Sequence, residues 1–151
     1  MASRDGGRTW REAVRGLPDR YVTSITVDRT NSNVAFLTVS GFRTGHVFKT
    51  VDGGDSWRDV SGLLPDIPAN RIHQDPLDPN TLYVGTDIGV FRSTSAGEAW
   101  ESFNDGMPPV VVLGFASNAS GALQVATYGR GAYELSTGSV PTPDFTIAFD
   151  P

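Results

Sequence analysis

Three aspartates, Asp66, Asp87 and Asp105, stand in turn-forming stretches between apolar runs. Paired carboxylates cleave glycosidic bonds when held about 5 to 9.5 Å apart, one as acid and the other as nucleophile or base. Spacing along the chain sets no such distance between any two of the three. Arg20, Phe42, Arg43, Tyr128 and Arg130 lie in similar stretches. They combine aromatic surface with hydrogen-bonding groups, the chemistry that holds a polar ligand such as a sugar or a peptide. Tyr128 and Arg130 stand out, because Gly129 and Gly131 shape a tight turn around them. Solvated loops have the same composition, so each residue is a candidate rather than an assignment.

Metal chemistry is not expected, and neither is a cofactor. His46 and His73 fall in separate strands without neighbouring ligand spacing, and the chain has no cysteine. Asp5 and Asp52 sit in Asp-x-Gly runs that superficially resemble a calcium loop, but the remaining oxygen ligands and the closing glutamate are missing. Nucleic acid is a poor partner, since the net charge is -5 and the basic residues are scattered singly. The longest apolar run, Val110 to Ala116, is far shorter than the roughly 20 residues that cross a bilayer, so no membrane insertion is expected. Met1-Ala2-Ser3 opens no signal peptide.

The elements that must position these candidates are set by a repeat. Ser3-Arg4-Asp5-Gly6-Gly7-Arg8-Thr9-Trp10, Thr50-Val51-Asp52-Gly53-Gly54-Asp55-Ser56-Trp57 and Ser93-Thr94-Ser95-Ala96-Gly97-Glu98-Ala99-Trp100 align. Their tryptophans, the only three in the chain, are 47 and 43 residues apart. Four-stranded propeller blades recur every ~40 to 45 residues. First strands are expected over Tyr21 to Asp28, Pro68 to Asp75 and Val110 to Ser117, second strands over Val34 to Val39, Thr81 to Thr86 and Ala122 to Thr127. Third strands follow at His46 to Thr50, Gly89 to Ser93 and Gly131 to Leu135, with β-branched and aromatic residues inside and turn residues at the borders. Fourth strands start at each tryptophan. The loop Gly41 to Gly45, against the shorter Asp87-Ile88 turn, accounts for the four-residue difference in spacing.

The boxes resemble the Asp-box, or BNR, repeat of β-propellers: Ser or Thr, any residue, Asp, any residue, Gly, any residue, Thr or Ser, Trp. The first two copies match fully through Ser3, Asp5, Gly7, Thr9 and Trp10, and through Thr50, Asp52, Gly54, Ser56 and Trp57. The third keeps Ser93, Gly97 and Trp100 but has Ser95 and Ala99 where the pattern has Asp and Thr or Ser, so its hairpin should be less well capped. The runs Asp75 to Thr86 and Ala126 to Tyr133 look like those of sortilin-like and xyloglucanase-like bacterial propellers. The resemblance implies an all-β fold of about three four-stranded antiparallel blades over residues 1–135, the C-terminal part of a larger ring. Closed propellers have four to eight blades, so further blades in cis or a second copy of the chain are expected partners. Residues 136–143 read as a linker, and 144–151 as the start of a further β-domain or tail.

In propellers of this kind the boxes lie on the face opposite the one that binds ligands. The resemblance therefore puts Arg20, Phe42, Arg43, Asp66, Asp87, Asp105, Tyr128 and Arg130 in ligand-face loops. It implies a non-catalytic scaffold of an extracellular or cell-envelope protein that recognises protein or polysaccharide. The alternatives are the C-terminal part of a xyloglucanase-type glycoside hydrolase and an assembly factor on the same repeat. A sialidase is disfavoured, because the Phe-Arg-Ile-Pro motif is absent.

Overall fold

The computed structural model describes residues 1–118 and 121–137. Three antiparallel sheets follow one another along the chain. The first holds β1 (Val22–Val27), β2 (Ala35–Val39), β3 (Val47–Thr50) and β4 (Arg58–Asp59), hydrogen-bonded in that order. The second repeats it with β5 (Ala69–Gln74), β6 (Leu82–Thr86), β7 (Gly89–Ser93) and β8 (Glu101–Ser102). The third has β9 (Val112–Ser117), β10 (Leu123–Thr127) and β11 (Ala132–Leu135). Among the described residues there is no helix, and none therefore that is long and apolar enough to cross a membrane. The linker and tail expected over 136–151 fall outside the described residues from 138 onward.

Strand pairing fixes which residues are equivalent. Val22, Ala69 and Val112 open the first strands opposite Val39, Thr86 and Thr127. The third first strand is thus one residue out of the expected phase: Val111 to Asn118, not Val110 to Ser117, matches Tyr21 to Asp28. A run of three valines carries no alternation from which the phase could be read. The fourth strands are short and begin one residue after the tryptophan.

Burial along the middle strands shows how the sheets stack. Every residue of β2 (AFLTV) and β6 (LYVGT) is buried, whereas β10 (LQVAT) alternates buried and open. A strand buried on both faces reads as a continuous apolar run, and one buried on a single face alternates. The middle strands of the first two sheets are therefore covered on both sides, while Val22, Ile25 and Val27 of β1 are exposed. Phe36 and Val47 meet Ala69, Ile72, Leu82 and Val84, and Tyr83 and Val90 meet Val112, Leu123 and Val125. Gly85 permits the second junction, since a Cβ there would run into the Val112 side chain.

The box tryptophans pin each sheet to the segment before it. Trp100 Nε1 donates to the Val60 carbonyl at 2.8 Å, and Trp57 Nε1 donates to the Ala13 carbonyl at 3.1 Å. Residues 1–15 are thus tied to the first sheet. They form only a bridge between Ala2 and Arg11 rather than the expected outer strand from Trp10, and they lie against the first sheet. Gly16, at φ 90°, has no room for a side chain because the Trp57 carbonyl lies against it.

Within the second box Asp52 Oδ1 accepts from Ser56 N (2.9 Å) and Thr50 Oγ1 (2.7 Å), and Oδ2 accepts from Ser56 Oγ (2.6 Å). Asp5 makes the same three bonds with Thr9 and Ser3. In the third box Ser95 Oγ still accepts from Ala99 N at 3.0 Å, but Ala99 offers no hydroxyl and Ser93 Oγ lies farther off at 3.4 Å, as expected of a weaker cap. The hydroxyl and amide of Thr9, then Ser3, hold Asp5 down at about 2, and the same set from Ser56 and Thr50 lowers Asp52 further.

A depressed carboxylate stabilises the fold above its unfolded pKa of about 3.9 and loses that contribution as pH falls toward the folded value. The melting temperature of the wild type should therefore drop below about pH 4. Asp52→Asn should melt lower than wild type at neutral pH, with the gap narrowing as pH falls. A gap that stays constant from pH 7 to pH 2 would contradict this origin.

Candidate functional site

The box turns sit beside the turns that join first to second strands. Gly53 N donates to the Asn33 carbonyl and Ala96 N to the Asn80 carbonyl. Strand direction then places the loops from second to third strand, and from fourth strand to the next sheet, at the other end. One cavity lies at that end, beside the first sheet. It is a cavity of about 310 Å³ lined by Thr44, Gly45, His46, Asp59, Ser61, Gly62, Leu64 and Asp66.

Two loops build it. Arg43, at φ 58°, turns its backbone N–H onto Asp66 Oδ1 at 2.6 Å, so the inserted loop closes over the loop that follows β4. The same carboxylate oxygen lies 3.2 Å from His46 Nε2. A carboxylate only accepts, so Nε2 carries a proton in this contact, and Nδ1 is buried without a partner. Ser61 Oγ accepts from the amides of His46 (2.7 Å) and Val47 (3.0 Å) and donates to Asp59 Oδ1 at 2.6 Å. Gly45 leaves room for the Asp59 carboxylate, which a Cβ there would push aside.

Of the candidates, Arg43 and Asp66 meet through the Arg43 amide, with Phe42 exposed on the same loop. Arg20 belongs to this region too, since its Nε and Cδ lie against the Cβ position of Gly41. The other candidates are anchored in other sheets. Asp87 Oδ1 accepts from Asn70 Nδ2 at 2.9 Å in the second sheet. Asp105 is exposed in the turn after β8. Tyr128 and Arg130 are exposed in the β10–β11 turn, where Gly129 and Gly131 both have φ 73°.

His46, Asp59 and Ser61 were not singled out from the sequence. The signal available was a break in the repeat: His46 occupies the position held by Gly89 and Gly131. Among the described residues no group of three or more His, Asp or Glu is arranged to hold a metal ion.

No family model matches the chain. Over 70 residues it is 30% identical to vacuolar protein sorting/targeting protein 10 of Colletotrichum graminicola, a match covering 46% of this chain and 4% of that protein. Over 69 residues it is 35% identical to the oligoxyloglucan reducing end-specific xyloglucanase of Emericella nidulans, covering 41% and 8%. The chain thus matches only a small part of either. Among solved structures, an ancestral GH74 enzyme superposes with a TM-score of 0.64 at 16% identity, over 80% of this chain and 18% of that one. YCF48 bound to D1 peptide gives 0.61 at 23% identity, over 89% and 44%. These similarities and the three stacked antiparallel sheets establish the architecture: the chain is built of β-propeller blades.

Proposed function

We propose that this chain is the binding portion of an extracellular Asp-box propeller, taking a polysaccharide or protein ligand at the loop end of its blades. The observation that carries the reading is the cavity between the inserted loop and Asp66, whose lining is mostly polar and fixed in place by backbone hydrogen bonds. Preorganised polar groups in a concave site bind without the cost of ordering them. Phe42 and Arg43, on the loop whose Arg43 amide binds Asp66, offer a stacking surface and a cation. The box end carries no such reading, since its carboxylates are consumed by their own turns.

The test is binding of the purified chain to an array that includes oligoxyloglucans and extended peptides. Asp66→Ala should weaken a positive signal about tenfold or more, the scale of one or two charge-assisted hydrogen bonds. Asp52→Asn should leave it unchanged. Equal loss in both variants, or in neither, would remove the site from consideration.

A hydrolase reading draws on one further feature, that Asp59 and Asp66 line the same cavity. Asp59 is occupied by Ser61 and Asp66 by Arg43 and His46, which suits positioning better than proton transfer. Release of reducing sugar from oligoxyloglucan, abolished by Asp66→Asn, would favour the hydrolase instead.

A further inference from the structure

The cavity beside the first sheet is unbalanced in charge. Asp59 and Asp66 both line it, and both are exposed. Each carboxylate is held through one oxygen. Asp59 Oδ1 accepts from the amide and hydroxyl of Ser61, at 2.8 and 2.6 Å, and Asp66 Oδ1 from the Arg43 amide and His46 Nε2. Among the described residues neither Oδ2 has a hydrogen-bond partner, and no arginine or lysine forms an ion pair with either aspartate. The guanidinium groups nearby are turned elsewhere: Arg20 donates Nη1 to the Asp19 carbonyl, and Arg58, next to Asp59 in the chain, pairs with Glu98.

His46 is a poor source of the missing charge. It lines the same cavity at 3% exposure, and its Nδ1 is buried without a partner. Nε2 already carries the proton that meets Asp66, so a second proton on Nδ1 would be a buried donor with nothing to receive it. The ring positions Asp66 and leaves its charge in place.

We propose that the cavity takes the charged end of a basic side chain, an arginine or lysine presented by a peptide or protein ligand. The inference rests on this cavity being the binding site, as proposed above, and narrows its ligand from polysaccharide or protein to the second. Two unpartnered carboxylate oxygens only accept, which suits a group that only donates: a guanidinium has five N–H donors and an ammonium three. A sugar hydroxyl neutralises neither charge. The volume of about 310 Å³ stands at the small end of the ~300 to 1,000 Å³ typical of ligand sites, room for one side chain rather than a run of sugar rings. Phe42, exposed on the inserted loop, offers a ring face to the same cation. The net charge of -5 favours approach of a basic partner.

Amide chemical shifts of the chain, followed during titration with three probes, test it. The probes are a capped pentapeptide with arginine between two pairs of glycines, the same peptide with uncharged citrulline in its place, and an oligoxyloglucan. The arginine peptide should move the amides of His46, Ser61 and Asp66, and the citrulline peptide should bind about tenfold more weakly or worse, the scale of a charge-assisted hydrogen bond. Added salt should weaken the arginine peptide as well. Asp59→Asn and Asp66→Asn keep an acceptor for Ser61 and for the Arg43 amide but remove the charge, so each should weaken the arginine peptide by a similar factor. Equal binding of the two peptides would overturn the proposal. Oligoxyloglucan moving the cavity amides while the arginine peptide leaves them still would overturn it too, yet keep the cavity as the binding site. Cavity amides silent to all three probes, with an array ligand moving amides elsewhere, would overturn both.

Discussion

Trp57→Ala should be the most damaging single truncation, costing about 3 to 5 kcal/mol, the range for removing a large buried aromatic. Trp57 is 9% exposed, packs in the cluster of Ala35, Leu37, Val39 and Phe48, and ties residues 1–15 to the first sheet through Nε1. Trp57→Phe separates the two roles. It keeps most of the ring but loses the donor, leaving the Ala13 carbonyl unpaired, so its cost should be about 1 to 2 kcal/mol. Trp10→Ala is the internal control. Trp10 is 60% exposed and donates only to the Gly7 carbonyl of its own turn, so its loss should be small. Urea unfolding of the three variants checks the order. A cost for Trp10→Ala equal to that for Trp57→Ala would mean that box tryptophans act within their own turns and not between blades.

Gly85→Val should separate the second and third sheets, destabilising by about 3 kcal/mol or more, at the upper end for overpacking. The Cβ position of Gly85 lies 2.9 Å from Val112 Cβ and 3.2 Å from Phe115 Cζ, and both belong to β9. Thr38 holds the same position in the first sheet, where its hydroxyl accepts from Thr23 Oγ1 at 2.9 Å. Bulk is therefore tolerated at one junction and not at the other. Thr38→Val should cost less than Gly85→Val by urea unfolding, and protection of β9 amides from hydrogen exchange should fall in the Gly85 variant alone. Normal protection of β9 in Gly85→Val would show that the junction can move apart without loss.

The sheets and their order were legible because each strand is bounded by turn residues and each blade is dated by its tryptophan. The box could be read as a folding device for the same reason: its hydroxyls, carboxylate and paired glycines all act within eight residues. Contacts between blades were harder to foresee. Phe36, Tyr83 and Gln124 occupy one position in three repeats, yet only stacking shows that the first two bury a neighbour while the third faces open space.

The site was half legible. Asp66 and Arg43 could be named as loop residues, but their meeting depends on the left-handed turn at Arg43, which local sequence does not dictate in a non-glycine residue. His46 looked like an ordinary strand residue because nothing within ligand spacing accompanies it. Its partner is 20 residues away in the chain. Tyr128 and Arg130 were correctly placed in a tight turn, and their Gly129 and Gly131 do adopt the positive φ that such a turn needs.

In the proposed reading, ligand meets the loop end of the blades at the His46 and Asp66 cavity, while the boxes only fold the chain. Amide chemical shifts recorded during titration with an oligosaccharide or peptide that scores on the array test it most directly. The largest changes should fall on Arg43, His46, Ser61 and Asp66, with those of Asp5, Asp52 and Ser95 unmoved. Changes centred on the box turns, with the cavity amides silent, would contradict it.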